Sequence, residues 1–311
     1  MRRIAGIVLL GLFGFLLAAG LVAQFYAPGV LKKTPLDINT LTKLTGEGSY
    51  LGDPVTPVSV WKRTQVVADA STSDVIVMRD FSCVMKDPDG NAPEEPVCLD
   101  DTDPRLISAS EELFATDRVT AMAVNDPAYI GTTGEERDGL INKFPFDVQQ
   151  ETYPLWDDVV GAPVDAEFAA VEDVDGLETY KFTVSISEAP IEVAEGVPGF
   201  YTDDRSIWID PVTGTFIDQQ QHQVRTLEDG GTALDLTLGF TPDTVQTNVD
   251  SARTNGRLLG ILAMLPWILY ALALAALVGG ILLVRSAPAE SARHRNDPRD
   301  VTLDELRGAS T

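Results

Sequence analysis

Two long runs of uncharged, apolar residues constrain this chain more than any other feature of its sequence. The first covers residues 4–26, which are 23 residues with one amide, Gln24. The second covers residues 258–284, which are 27 residues without a charge. As helices they would be about 34 Å and about 40 Å long, enough to cross a hydrocarbon core of about 30 Å. The sequence therefore predicts two transmembrane helices.

The first run has an alternative interpretation. Arg2 and Arg3 followed by an apolar run also describe a secretory signal peptide. The run is long for such a peptide, and the small residues Ala18 and Gly20 are followed by more apolar sequence. These features favour a retained span, with cleavage as the alternative.

The orientation of the spans follows from the cations beside them. Arg2 and Arg3 precede the first span, and four arginines follow the second (Arg285, Arg293, Arg295 and Arg299). The opposite flanks also carry four cations, Lys32, Lys33, Arg253 and Arg257, so the bias is modest. It predicts a two-pass plasma-membrane protein with residues 1–3 and 285–311 in the cytoplasm and residues 27–257 outside it.

The charge balance of the middle segment excludes one class of partner. Residues 27–257 contain 42 Asp and Glu against 16 Lys and Arg, a net charge of −26. A nucleic-acid-binding protein needs a basic surface to neutralise phosphates, so we expect no nucleic-acid partner. The partner that the two apolar runs predict is the lipid bilayer.

The chain has two cysteines, Cys83 and Cys98, both in the segment that is predicted to lie outside the cytoplasm. A bond between them would close a loop of 15 residues and contribute about 3 kcal/mol in the chain-entropy model. Disulfides persist on the oxidising side of a membrane. We therefore predict a Cys83–Cys98 disulfide.

Between the spans, apolar residues alternate with polar ones at period two. Examples are residues 74–78, 180–186 and 233–238, which are short, rich in β-branched residues and bounded by Gly, Pro and Asp. Residues 208–216 and 229–231 read as hairpin turns, and Thr241-Pro242-Asp243 reads as the start of a helix. The predicted fold is a mainly β, antiparallel domain, sandwich-like or a curved sheet, between two transmembrane helices.

Motifs of catalysis and metal binding are weak. The acidic loop 87–103 begins like a calcium loop, but Ala92 and Cys98 occupy positions that need Gly and Glu. Neighbouring acids such as Asp157 and Asp158 are no evidence for a glycoside hydrolase, because a segment with 42 acids contains such pairs by chance. We expect no catalytic residue, no metal and no cofactor, with cation binding by residues 87–103 left open.

One aromatic run carries a specific hypothesis. Four rings occur within 13 residues, amid prolines and acids (Phe144, Phe146, Tyr153 and Trp156). Such rings dominate ordinary cores. They could also line an apolar groove for a lipid or glycolipid, which makes them the candidate ligand-binding residues.

Several motifs resemble one family of envelope proteins from actinobacteria. They are Lys143-Phe144-Pro145-Phe146, Thr152-Tyr153, Trp156-Asp157, residues 175–182 (DGLETYKF), and Trp208-Ile209-Asp210-Pro211 with Thr213-Gly214. The family has two spans around a β-rich domain and is often labelled "porin PorA family", with unknown function. The resemblance covers nearly the whole chain. It implies a role in envelope lipid or lipoglycan assembly, including handling of trehalose monomycolate beside its exporter, but it names no catalytic residue.

These observations lead to one expected function and two alternatives. We expect a membrane-anchored, non-enzymatic factor of cell-envelope biogenesis that binds or hands on an envelope glycolipid or docks on a membrane lipid exporter. The first alternative is an oligomeric channel, although two apolar helices cannot enclose a pore alone. The second is a glycan-processing enzyme.

Overall fold

The computed structural model describes residues 2–90 and 98–286. The parts of the predicted cytoplasmic segments that comprise Met1 and residues 287–311 lie outside the described residues, as do residues 91–97 of the acidic loop. The chain divides into two compact units, residues 25–264 and the pair of segments 1–24 and 265–311.

The described chain contains four α-helices, one short 3-10 helix (Ala68–Ala70) and ten strands. The helices are α1 (Arg2–Phe25), α2 (Ala27–Leu31), α3 (Pro127–Ile130) and α4 (Pro242–Arg285). The strands are β1 (Asn39–Tyr50), β2 (Thr56–Val66), β3 (Val75–Lys86), β4 (Leu106–Asp117), β5 (Tyr153–Asp157), β6 (Ala162–Val174), β7 (Leu177–Ala194), β8 (Val197–Ile209), β9 (Phe216–Leu227) and β10 (Thr232–Phe240).

The helical unit confirms that the two apolar runs are helices long enough to cross a membrane. Both have side chains that are mostly exposed in the absence of a bilayer. A Cβ at Gly20 would overlap the ring of Tyr270, so the small residue allows this side chain to pack directly against α1. Tyr270 Oη donates a hydrogen bond to Gln24 Oε1 at 2.6 Å. The amide of one span and the phenol of the other therefore satisfy each other.

The other unit is a single curled sheet in which all neighbouring strands are antiparallel. The strand order is β4-β3-β2-β1-β10-β9-β8-β7-β6-β5, so most neighbours are consecutive hairpins. This confirms the predicted antiparallel β class in its curved-sheet form. The predicted turns at residues 208–216 and 229–231 join β8 to β9 and β9 to β10.

Strands β1 and β10 approach each other closely at Gly46. A Cβ at Gly46 would overlap the carbonyl oxygen of Thr237 on the neighbouring strand, so only glycine fits here. Glycines at such positions let strands bend sharply toward one face. On that face, which we call the inner face, Val58, Leu236 and Leu238 pack together.

A connecting segment between β4 and β5, which we call the strap (residues 118–152), contributes Leu140, Phe144 and Val148 to the core on the inner face. Its helix α3 packs Ile130 against Val77 and Ala115 of β3 and β4. The strap joins the two edges of the sheet at one end, because Thr116 bridges Ala123, Met122 bridges Leu140, and Leu140 bridges Leu155. Trp156 N donates to Leu140 O at 2.7 Å, and Val124 N donates to Ala115 O at 2.8 Å. The curled sheet is thus held together by the strap at this end.

The opposite face, the outer face, is covered at one end by the beginning of α4. Thr241 Oγ1 accepts a hydrogen bond from Thr244 N, which confirms the predicted helix start. Val245, Val249 and Ala252 then pack on Trp208 and Ile217. The remainder of the outer face in the middle of the sheet is left open.

Cys83 and Cys98 form the predicted disulfide, with a Cα–Cα distance of 5.7 Å. The bond lies on the outer side of β3, where Trp61, Met85 and Leu99 pack against it. It ties the described end of the acidic loop to the sheet.

Candidate functional site

The four aromatic residues that the sequence singled out do not form one site. Phe144 has no exposed surface, and its ring centroid lies 4.7 Å from that of Phe182 and 5.2 Å from that of Tyr153. These rings belong to the core between the strap and strands β5 to β8. A ligand role for Phe144 and Tyr153 would require the strap to move.

Phe146 and Trp156 lie apart from this ring cluster. The ring of Phe146 packs under Lys143, whose Nζ lies 3.8 Å from the ring centroid. Trp156 is only 7% exposed, and its Nε1 donates to Asp158 Oδ1 at 2.8 Å. The ligand-binding role of the four residues stays a prediction, and their placement supports a packing role.

Lys143 carries the most perturbed amine of the described chain. Burial lowers the pKa of Lys143 to about 7, although the carboxylate of Asp210 acts in the opposite direction. The amine donates to Phe144 O at 3.2 Å. The charged form is therefore disfavoured in the folded protein near neutral pH.

A buried ionic cluster joins Asp157, which ends β5 and begins the turn that follows, to the inner face of β8. Arg205 Nη2 lies 2.8 Å from Asp157 Oδ2 and 2.8 Å from Asp203 Oδ2, and both carboxylates are almost fully buried. Gln221 Nε2 donates to the other oxygen of Asp203 at 2.7 Å. Burial raises the pKa of Asp203, while Arg205 and Gln221 act in the opposite direction.

A second ionic cluster joins the same turn to the strap and to β4. Arg137 Nη2 lies 2.7 Å from Glu112 Oε2 and 3.3 Å from Asp158 Oδ1, and its side chain is 4% exposed. Burial and the neighbouring Glu112 raise the pKa of Asp158. The adjacent acids Asp157 and Asp158 thus fasten the turn to two different elements, which is a structural use of the pair.

Neither Arg137 nor Arg205 is predicted from the sequence as a functional or structural residue. For Arg205 the alternation of β8 offered a signal. Every second residue of this strand lies on one face, and that face carries Tyr201, Asp203, Arg205, Ile207 and Ile209. Asp203 and Arg205 are charged residues on an otherwise apolar face, a pattern that indicates a buried ion pair. For Arg137, which lies in the strap, no periodic signal exists.

An open groove crosses the outer face in the middle of the sheet. It has a volume of about 580 Å³ and extends over β1, β10, β9, β8 and β7. A second depression of about 460 Å³ shares Thr183 and Ser185 with it and continues onto β6. We call the two together the outer groove.

Strand register places one row of polar side chains across the floor of the outer groove. Glu47 is opposite Thr237, Thr237 is opposite His222, His222 is opposite Asp204, and Asp204 is opposite Ser185. Ser185 Oγ donates to Asp204 Oδ1 at 2.9 Å. His222 Nε2 lies 2.9 Å from Asp235 Oδ1, and both side chains are about half exposed.

The chemistry of this row favours hydrogen bonding over catalysis. Ser185 binds Asp204 and not His222, so the serine lacks the adjacent imidazole that would activate it as a nucleophile. Among the lining residues, the guanidinium of Arg205 points to the inner face, where it binds Asp157. Among the described residues that line the groove, His222 is then the one basic side chain that faces it, against four carboxylates (Glu47, Asp165, Glu167 and Asp204).

Described carboxylates of the acidic loop are already engaged in hydrogen bonds within the protein. Arg105 donates to both oxygens of Asp103, and these hydrogen bonds lower the pKa of Asp103 to about 2. Asp100 accepts from the hydroxyl and the amide of Thr102. Within residues 2–90 and 98–286, no three His, Cys, Asp or Glu side chains are grouped so that they could hold a metal ion.

Comparisons with known proteins give one family match. The family model described as Porin PorA matches residues 5–282. A search of curated proteins found no match. Among solved structures, a LolA superfamily protein from Nitrosomonas europaea, NE2245, aligns over 70% of this chain and 96% of its own length with 7% identity. Its TM-score of 0.14 is too low to support any argument about fold or function.

Proposed function

The chain belongs to the Porin PorA family, and from this premise we propose that it is a membrane-anchored, non-enzymatic factor of the cell envelope that binds the sugar headgroup of an envelope glycolipid. Its two apolar helices make it a membrane protein in contact with the lipid bilayer. In this proposal residues 27–257 lie outside the plasma membrane, and both termini are cytoplasmic. The disulfide supports that placement, because such bonds persist on the oxidising side of a membrane.

The outer groove is the observation that carries the proposal. Its carboxylates, amides and hydroxyls can accept and donate several hydrogen bonds to a ligand that has many hydroxyl groups. A phosphate headgroup would meet four carboxylates and only one imidazole, so its charge would be repelled. The lining therefore favours an uncharged sugar headgroup.

The filled inner face supports binding by the headgroup rather than by the acyl chain. Phe144, Phe182 and Ile207 have no exposed surface and belong to the core that includes the strap. Leu236 is 2% exposed and belongs to a second core cluster with Val58 and Leu238. An acyl chain in this core would have to displace closely packed side chains, which costs several kcal/mol. The glycolipid is then held by its polar end on the outer face and can be handed on to a lipid exporter.

The test uses the full chain in phosphatidylcholine nanodiscs and fluorescently labelled trehalose monomycolate. We expect saturable binding that free trehalose reduces and phosphatidylglycerol does not. Asp204→Ala removes a charged acceptor from the centre of the row, and we expect binding to weaken about tenfold or more. The matched control is Glu178→Gln, an exposed acid on β7 outside the groove, which should bind normally.

Two results would reject the proposal. One is the absence of saturable binding by the folded protein. The other is normal binding by Asp204→Ala together with loss of binding by Trp156→Ala at unchanged stability, which would place the ligand among the aromatic residues instead.

A further inference from the structure

Half of the β4 edge has backbone groups without a hydrogen-bond partner among the described residues. At the end near the strap, Val124 N donates to Ala115 O and Asp117 N donates to Met122 O. In an antiparallel strand the N–H and C=O of one residue point to the same side, and the side alternates along the chain. The odd-numbered residues of β4 therefore point their backbone groups away from β3.

The next three outward-pointing residues are Leu113, Glu111 and Ala109. In the part of the chain that the structure describes, no backbone or side-chain group forms a hydrogen bond with their outward N–H and C=O groups. Three successive donor and acceptor pairs along this edge thus have no hydrogen-bond partner among the described residues. Ala109 and Glu111 are exposed, whereas the side chain of Leu113 packs on the cluster that contains Ile130. The three pairs have the spacing that another strand needs.

This edge has less protection against pairing than the other outermost strand. Natural edge strands carry charged residues, lysine above all, or proline, or they are bulged, short or covered. Residues 108–113 have the sequence SASEEL, with two glutamates but neither lysine nor proline, and the register shift of β4 lies before them. Strand β5 has only five residues, includes Pro154 and pairs with Leu140 of the strap. The β4 edge is therefore the longer and less covered of the two.

Charge indicates what kind of strand fits. Glu111 and Glu112 lie on the open stretch, and each has one arginine partner, Arg79 and Arg137. The whole segment 27–257 has a net charge of −26. An incoming strand with lysine or arginine would be attracted, whereas an acidic one would be repelled.

Charge also argues against a second copy as the occupant. Two β4 edges paired with each other would bring the Glu111 and Glu112 side chains of both copies close together. Like charges on paired strands are destabilising.

We propose that the open edge of β4, residues 108–113, binds an extended Lys- or Arg-bearing segment of a partner protein as an eleventh strand. Main-chain hydrogen bonds give the affinity, and the glutamates give the preference for a basic strand. The inference does not depend on sugar binding, because the outer groove lies on other strands. It gives the protein a docking surface as well as a ligand site.

A proline substitution tests this docking surface. Ala109→Pro removes an N–H that points away from β3, so the existing ladder keeps its hydrogen bonds while the docking edge loses one. Ala109→Ser is the matched control. The probe is a seven-residue peptide of alternating Lys and Val, titrated against the full chain in phosphatidylcholine nanodiscs. We expect saturable binding, at least tenfold weaker with Ala109→Pro and unchanged with Ala109→Ser.

Glu111→Lys provides a second variant in case the proline variant does not fold. It should weaken binding of the Lys-Val peptide and strengthen binding of a Glu-Val peptide of equal length. Hydrogen exchange should show that the amides of Glu111 and Leu113 become at least tenfold slower when the Lys-Val peptide is bound. Absence of saturable binding, equal binding by Ala109→Pro, or slowing at amides elsewhere would overturn the proposal. If exchange at these amides becomes slower at higher protein concentration without any peptide, a second copy of the chain occupies the edge instead.

Discussion

Asp203 and Asp204 are neighbours in sequence and have opposite environments. Asp203 has no exposed side-chain surface and binds Arg205 and Gln221 on the inner face. Asp204 is exposed and accepts a hydrogen bond from Ser185 in the outer groove. The same type of side chain is thus a structural group at Asp203 and a candidate binding group at Asp204. The alternation of a β-strand is sufficient to separate the two roles.

The same division holds for the two faces as a whole. The inner face carries the strap and apolar side chains, and the arginines Arg137 and Arg205 are paired there with acids. The outer groove contains hydrogen-bonding side chains whose partners lie on neighbouring strands or in solvent. A change on the inner face should therefore affect stability, whereas a change in the groove should affect binding.

The largest contrast should come from Arg205 and Asp204. Arg205→Ala leaves Asp157 and Asp203 buried without a cation, and we expect the free energy of unfolding to fall by about 3–5 kcal/mol. Asp204→Asn should change it by less than about 0.5 kcal/mol, since the residue is exposed. Denaturant unfolding followed by tryptophan fluorescence measures both. Equal effects would mean that the two faces do not differ as described.

A second contrast compares the two phenylalanines of the Lys143–Phe146 motif. Phe144→Ala creates a cavity in the core, and we expect a loss of about 3–5 kcal/mol in the free energy of unfolding. Phe146 is half-buried, so Phe146→Ala should cost clearly less. The same unfolding experiment applies. A small effect of Phe144→Ala would indicate that the strap is not packed as closely as its contacts imply.

The smallest expected effect concerns Lys143 and depends on pH. Below pH about 7 the amine is charged in both states, so the folded protein bears the full cost of burying that charge. Between pH 7 and the ordinary pKa of 10.5 the unfolded chain binds more protons than the folded one, so stability rises with pH in this window. Lys143→Met should therefore raise the melting temperature at pH 6 and lose this advantage toward pH 10.5. A shift that is the same at both pH values would contradict the lowered pKa.

Much of the fold could be predicted from local patterns. The two helices, the turns at residues 208–216 and 229–231, and the helix start at Thr241 each depend on residues within a short segment. The disulfide was predictable because the chain offers one pair of cysteines. The Porin PorA relationship was also visible in short motifs, although these motifs are structural and name no reaction.

The site could be predicted less well. The aromatic residues attracted attention because rings serve both cores and lipid grooves, and composition does not separate the two uses. Phe144 packs against Phe182, which is 38 residues away, so its burial could not be read from its own neighbourhood. The outer groove contains no motif at all. Its row combines Glu47, Thr237, His222, Asp204 and Ser185, which only the strand register brings together.

The sequence by itself determined what depends on local hydrophobicity, alternation and turn residues: two apolar helices, short alternating strands and one cysteine pair. The tertiary structure alone decided which face of each strand is buried, how the strap joins the edges, and which distant side chains share the groove. The physical reason is that strand pairing joins residues far apart in the chain. A shift of one residue in register would move every side chain to the other face, and the packing of the whole sheet selects between these alternatives.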